Sequence, residues 1–165
     1  MIVLGIDPGI AITGWGIVEL LKSKGNLSLV DCGVIATPSY LTLSIRLVDI
    51  HHQLQKIIIK YKPKVIAIEE LFFFRLTKNI LAIAQARGVI LLTVALHKIP
   101  LFEYNPTVIK LALTGSGNAS KLQIQNTVKN ILHLKNILKP DDVADALAIG
   151  ICHINKKFHL NKEIM

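Results

Sequence analysis

An apolar run that ends in an acid occurs twice in this chain, and the pair of runs restricts it to few folds. Ile2-Val3-Leu4-Gly5-Ile6 lacks polar alternation, the pattern of a strand covered on both faces. It closes on Asp7, and Pro8-Gly9 then turns the chain sharply. Val65-Ile66-Ala67-Ile68 repeats the device and closes on Glu69-Glu70. A lone ionised group inside a domain is very costly. Such acids belong at the carboxyl lip of a central sheet, where open α/β sheets bind their ligands.

The segment between the two runs connects them. Ile12 to Leu20 and Leu27 to Ala36 read as strands of an antiparallel meander, with Lys22 to Asn26 as the polar turn between them. Gly14 and Gly16 interrupt the first of these, as glycines do where another backbone or a ligand comes close. Leu41 to Tyr61 is an amphipathic helix, with Leu43, Leu47, Ile50, Leu54, Ile57 and Ile58 on one face. A helix between two buried strands is a crossover, so the second acid-ended strand lies parallel to the first. Parallel neighbours stand about 4.8 Å apart, so carboxylates at their common ends can share a cation. Glu69 follows Val65 and Ala67 on one face, and Glu70 follows Ile66 and Ile68 on the other. One of the two enters the site; alternation alone leaves open which.

Leu71 to Lys78 reads as a connector, Asn79 to Lys98 as a long apolar helix, and Ile99 to Tyr104 as a fifth strand. A helical segment starts at Pro106. Thr114 to Asn118 is a loop, and Ser120-Lys121-Leu122-Gln123 has the capping-box pattern of a helix reaching about His133. The last helix is expected from Asp141 to about Asn155. One domain over 1–157 with a frayed tail over 158–165 accounts for the chain.

The charge balance bounds the partner. Nineteen Lys and Arg stand against eleven Asp and Glu, a net charge of +8, which suits a polyanion, either nucleic acid or a membrane surface, or simply a basic protein without such a partner. The apolar window from Ile80 to Leu96 contains Gln85 and Arg87. An arginine at mid-span costs about 2.5–3.5 kcal/mol on insertion, so no membrane helix is expected. Cys32 and Cys152 have no metal-type spacing, and no basic leader precedes the first strand. A cytoplasmic protein with reduced thiols is expected.

The last helix opens Asp141-Asp142-Val143-Ala144-Asp145. First-turn acids usually complement the helix dipole, which accounts for Asp141. Asp145 lies beside the apolar stripe and is poorly explained that way. With Asp7 and an acid of the second run, Asp142 and Asp145 complete a set of four carboxylates. Packed together they repel one another unless a cation intervenes. All-oxygen ligands suit Mg²⁺ or Mn²⁺, and two such ions about 3.5–4 Å apart clamp a phosphodiester under hydrolysis.

Gly5-Ile6-Asp7-Pro8-Gly9 with Thr13-Gly14, Ala67-Ile68-Glu69, Gln85-Ala86-Arg87-Gly88, Phe102-Glu103-Tyr104 and Asp142-Val143-Ala144-Asp145-Ala146-Leu147-Ala148 resemble, in order and spacing, the RuvC family of Holliday junction resolvases. The resemblance runs nearly end to end. It implies an RNase H-like α/β/α fold, a five-stranded mixed sheet with helices on both faces. It implies a homodimer that cuts four-way junction DNA with two Mg²⁺ per subunit, Mn²⁺ substituting. It also implies partnership with the RuvA–RuvB branch-migration complex. It places the catalytic, metal-binding acids on Asp7, Glu69, Asp142 and Asp145, choosing Glu69 over Glu70. It assigns DNA contacts to Phe72, Lys110 and Lys121. Phe73 and Phe74 read as core residues. Lys121 falls in the first turn of a helix, where the dipole disfavours a cation and an anionic ligand there would offset the cost. Ile10-Ala11 departs from the usually more polar turn of the family.

The Asp7-Pro8-Gly9 and Thr13-Gly14 pair is also similar to the phosphate turn of actin-like and sugar-kinase ATPases. Those proteins need two such lobes, and 165 residues supply one.

Overall fold

Strand β1 (Ile2–Asp7) lies in the middle of the sheet, and the other elements are placed by it. On one side β2 (Ile12–Leu20) and β3 (Leu27–Ala36) complete an antiparallel meander. On the other side β4 (Val65–Glu69) and β5 (Leu101–Tyr104) run parallel to it, giving the order β3-β2-β1-β4-β5. The helices are α1 (Leu43–Tyr61), α2 (Ile80–Leu96), α3 (Pro106–Thr114), α4 (Lys121–Ile131) and α5 (Asp141–Lys162). This computed structural model describes residues 1–21, 26–71 and 80–162, with side chains to residue 157.

Alternation along the strands sorts the two cores. Leu4, Ile6, Ile66 and Ile68 point to the layer formed by α1 and α2, against Ile50, Leu54, Ile58, Ile90 and Val94. Val3 and Ala67 point the other way, against Val143, Leu147 and Ile151 of α5, with α3 and α4 stacked outside. The molecule is therefore a three-layer α/β/α sandwich. Helix α5 has neighbours on almost every side, and Val143, Ala144, Ala146 to Ile149, Ile151 and Cys152 are all buried. Its core is broader than a single stripe for that reason.

Local chemistry sets the helix ends. Lys62 closes α1 in the left-handed region, its N–H donating to Ile58 O at 2.9 Å. Asn105 caps α3 by accepting from Thr107 N–H at 2.9 Å, with Pro106 at the first helical position. The capping box of α4 is formed in both directions between Ser120 and Gln123. Helix α1 starts at Leu43 rather than Leu41, because Thr42 takes the extended N-cap conformation. Helix α5 continues to Lys162, beyond the expected end near Asn155. No Gly or Pro interrupts 151–162, and Lys and Leu propagate a helix well.

Candidate active site

The carboxyl ends of β1 and β4 carry the first two acids. Ile6 pairs with Ile68, which sets Asp7 beside Glu69. Asp7 continues the Val3 and Gly5 face, and Glu69 continues the Ala67 face, so both belong to the α5 side. Glu70 follows the opposite face, and its N–H is used in the sheet, donating to Tyr104 O at 2.9 Å. Of the two acids, Glu69 is therefore the one on the α5 side with Asp7.

Helix α5 brings Asp142 and Asp145. It lies directly on the sheet because glycines face it. A Cβ on Gly5 would stand 2.8 Å from Gly150 N and collide with Ala146 O. One on Gly14, the β2 partner of Asp7, would collide with the Asp142 carbonyl and stand 3.0 Å from Asp142 Cβ. The first turn of α5 is seated by main-chain contact next to Asp7. The turn after Asp7 is tied from beneath: the Thr13 hydroxyl donates to Gly9 O at 2.6 Å. Ile10, one of the two departures in that turn, is buried in the α1/α2 core.

The acids lie near enough to act on one another's charge. Burial, then Glu69, Asp145 and Asp142, push the Asp7 carboxyl up to about 8, with Lys121 opposing. Burial and the charge of Asp145 raise Glu69, with Lys110 opposing. Burial raises Asp145 as well, although Lys121 pulls it back. Lys121 Nζ lies 3.1 Å from Asp145 and 3.5 Å from Asp141. In this structure the charge of Lys121 is met by Asp145 and Asp141 of the chain itself, where the sequence pointed to an anionic ligand. Beside the acids is a cleft of about 260 Å³ lined by Glu69, Asp145, Lys110, Lys121, Pro106 and Ile109. Among the described residues, no three acidic, histidine or cysteine side chains are drawn in tightly enough to hold an ion as they stand. The donor set still fits a hard divalent cation. It is all carboxylate oxygen, and burial together with the neighbouring acids raises the proton affinity of Asp7, Glu69 and Asp145, an excess of negative charge that a dication neutralises.

Phe72 to Phe74 lie outside the described residues. His153, given no role from sequence, is a core residue with Nδ1 2.8 Å from the Tyr104 hydroxyl. Arg87 is the feature the sequence left without a role. From α2, behind the sheet, it pairs with Glu103 of β5, and its Nε reaches toward Glu69 O at 3.5 Å. Its place in Gln85-Ala86-Arg87-Gly88 was visible, but nothing in the spacing reveals a contact between residues of different elements.

A carboxylate cluster at the lip of this mixed sheet, with lysines around its cleft, defines an RNase H-like nuclease. Residues 3–153 match the family described as crossover junction endodeoxyribonuclease RuvC. The chain is 56% identical over 155 residues to the crossover junction endodeoxyribonuclease RuvC of Endomicrobium trichonymphae, covering 94% of this chain and 81% of that one. A structure of Thermus thermophilus RuvC matches with TM-score 0.89 and 32% identity over 96% of both chains. A second structure, of that organism's RuvC in complex with Holliday junction substrate, matches with TM-score 0.86 and 29% identity over 96% of both. This chain belongs to the RuvC family of crossover junction endodeoxyribonucleases, which are metal-dependent nucleases.

Proposed function

We propose that the protein resolves Holliday junctions in DNA recombination and repair by Mg²⁺-dependent hydrolysis of one phosphodiester per subunit. The observation that carries this reading is Asp7. A carboxyl held at the lip of a central strand, and pushed up to about 8 by burial and three other acids, is built for a cation rather than for stability. The related Thermus protein, whose structure was solved with Holliday junction substrate, supports the choice of DNA.

Asp7, Glu69, Asp142 and Asp145 are the ligands in this reading, enough for two Mg²⁺ per subunit, with Mn²⁺ able to substitute. Bound there, the ions supply positive charge to the scissile phosphate and acidify an attacking water. The protein's own residues do the rest. The buried strand ends fix Asp7 and Glu69, and the flush first turn of α5 fixes Asp142 and Asp145. Lys110 and Lys121, on the walls of the cleft, attract the DNA backbone and hold a phosphate against the acids. Phe72, three residues past Glu69, stacks on an unpaired junction base, a contact on the order of 1–3 kcal/mol.

A homodimer gives two such sites for nicks on opposing strands. Helix α2 is the face we assign to it. Leu81, Gln85, Gly88, Leu92 and Leu96 recur at helical spacing and are exposed. A Cβ on Gly88 would meet nothing within 4 Å, which leaves room for a second helix to approach. The family resemblance supports RuvA–RuvB as partners. Cys32 and Cys152 are free thiols, in keeping with a cytoplasmic setting, and no described helix is long and apolar enough to cross a membrane.

The test is cleavage of a mobile four-way junction against linear duplex, with and without Mg²⁺. Paired nicks in the junction alone, and only with metal, are the expected result. Equal cutting of both substrates, or no cutting, overturns the reading.

A further inference from the structure

Arg87 is oddly placed for a charged residue. It sits on α2, in the layer behind the sheet from the acid cluster, and its side chain is 13% exposed. Burying a charge to this degree requires partners. It has two, and both lie at the carboxyl lip of the sheet. One is the carboxylate of Glu103, whose β5 position pairs with Ile68 of β4. The other is the main-chain carbonyl of Glu69, which Nε approaches at 3.5 Å. The next peptide is fixed as well, since Glu70 N–H donates to Tyr104 O at 2.9 Å. The last residue of β4 is thus bound from behind by a cation and from the side by β5. The contact is with the main chain: Nε approaches the carbonyl oxygen of Glu69, not its carboxylate.

We propose that Arg87 is a positioning residue for Glu69. It clamps the peptide that carries this carboxylate, so that the side chain enters the cluster with a fixed direction. The inference rests on the reading of Glu69 as a metal ligand. It adds a role for a residue on the far face of the sheet, and it links the site to α2, the helix assigned above to the dimer. A planar guanidinium suits the task, because it addresses a carboxylate and a carbonyl together, whereas an ammonium is a single point charge.

Two conservative variants test it. Arg87→Lys keeps the charge, and Glu103→Gln keeps the shape while releasing the ion pair. Mg²⁺ and Mn²⁺ binding to the DNA-free protein is measured by calorimetry, and cleavage of a four-way junction is measured at saturating metal. Ile90→Val, a core truncation on the same helix, serves as the stability control. If Arg87 positions Glu69, Arg87→Lys weakens divalent metal binding about 10-fold, the lower end of what loss of a supporting contact costs. It lowers kcat by a similar factor while KM for the junction moves less than about threefold, and Glu103→Gln shows the same pattern more weakly. A purely structural Arg87 gives a different result: the melting temperature falls as it does for Ile90→Val, and metal affinity and kcat stay at wild-type values. That result overturns the proposal. Wild-type protein that neither binds divalent metal nor cuts junctions overturns the reading of the site instead, so the two failures are distinct.

Discussion

The Lys121 ammonium lies 3.1 Å from Asp145 and 3.5 Å from Asp141, so the rim of the acid cluster already carries a cation from the neighbouring helix. Burial works against the charge on Lys121, but the hydrogen bond and charge of Asp145 outweigh it and raise its pKa. The same side chain borders the cleft and is more than half exposed. In the function proposed above, it exchanges an aspartate for a DNA phosphate without leaving the site.

Lys121→Ala should weaken junction binding about 10-fold, the scale of one charge-assisted hydrogen bond. The plot of log affinity against log salt should become shallower by about one unit. Binding titrations at several ionic strengths check both. An unchanged salt slope would mean that Lys121 serves only the fold.

Asp7→Asn should abolish cleavage and leave junction affinity intact or higher, because a charge that repels phosphate is gone. Gel-shift and cleavage assays on the same junction separate the two effects. Residual cutting near the wild-type rate would remove Asp7 from the catalytic set.

The same substitution has a pH signature in metal-free protein. The folded state raises Asp7 from an ordinary 3.8 to about 8, so it holds the proton more tightly than the unfolded chain. The stability that goes with the protonated form is complete below about 4 and is lost as pH rises through 8. Asn does not titrate. At pH 7.5 Asp7→Asn should melt at least about 5 °C above wild type, and the gap should close by pH 4. His153 titrates in the opposite sense, its pKa lowered by burial from 6.5, but it is present in both proteins and cancels. Mg²⁺ should raise the wild-type melting temperature and raise that of the variant less. Parallel melting curves at all pH values would refute the electrostatic picture.

Gly14→Ala should be costly despite its size, because the added methyl meets the Asp142 main chain. Overpacking of this kind costs about 1–3 kcal/mol, or a melting temperature lower by roughly 3–10 °C. Lifting the first turn of α5 should reduce cleavage more than junction binding. Thermal melts and kinetics report both, and a neutral substitution would mean that α5 does not rest on β2 as described.

Leu92→Glu should leave the fold intact and shift the protein to monomer in sedimentation experiments. Its side chain is exposed on α2. The monomer should nick junctions singly, so that paired products fall more than total nicks. A dimer that survives the substitution would move the interface off α2.

Much of the fold was legible because it is written in local patterns. The two acid-ended runs identified β1 and β4, the apolar spacing of 43–58 identified α1, and Ser120 to Gln123 marked the start of α4. The glycines at 14 and 16 were read as places of close approach, and the approaching element is α5. Other features depend on contacts between distant segments. Glu69 was separable from Glu70 only by resemblance until the sheet fixed which face looks toward α5. The Arg87–Glu103 pair joins a helix to a strand 16 residues on, with no periodicity to betray it. The end of α5 was set too early because a basic, polar segment reads as a tail, while nothing in it stops a helix.

The seat of α5 on Gly5 and Gly14 also limits how this site can change. Where carbonyls and α-carbons touch, no side chain stands between the two halves of the acid cluster to act as a shim. Their separation cannot be tuned by trading one residue for a slightly larger or smaller one. A lineage seeking a different ion spacing would have to re-lay the whole helix.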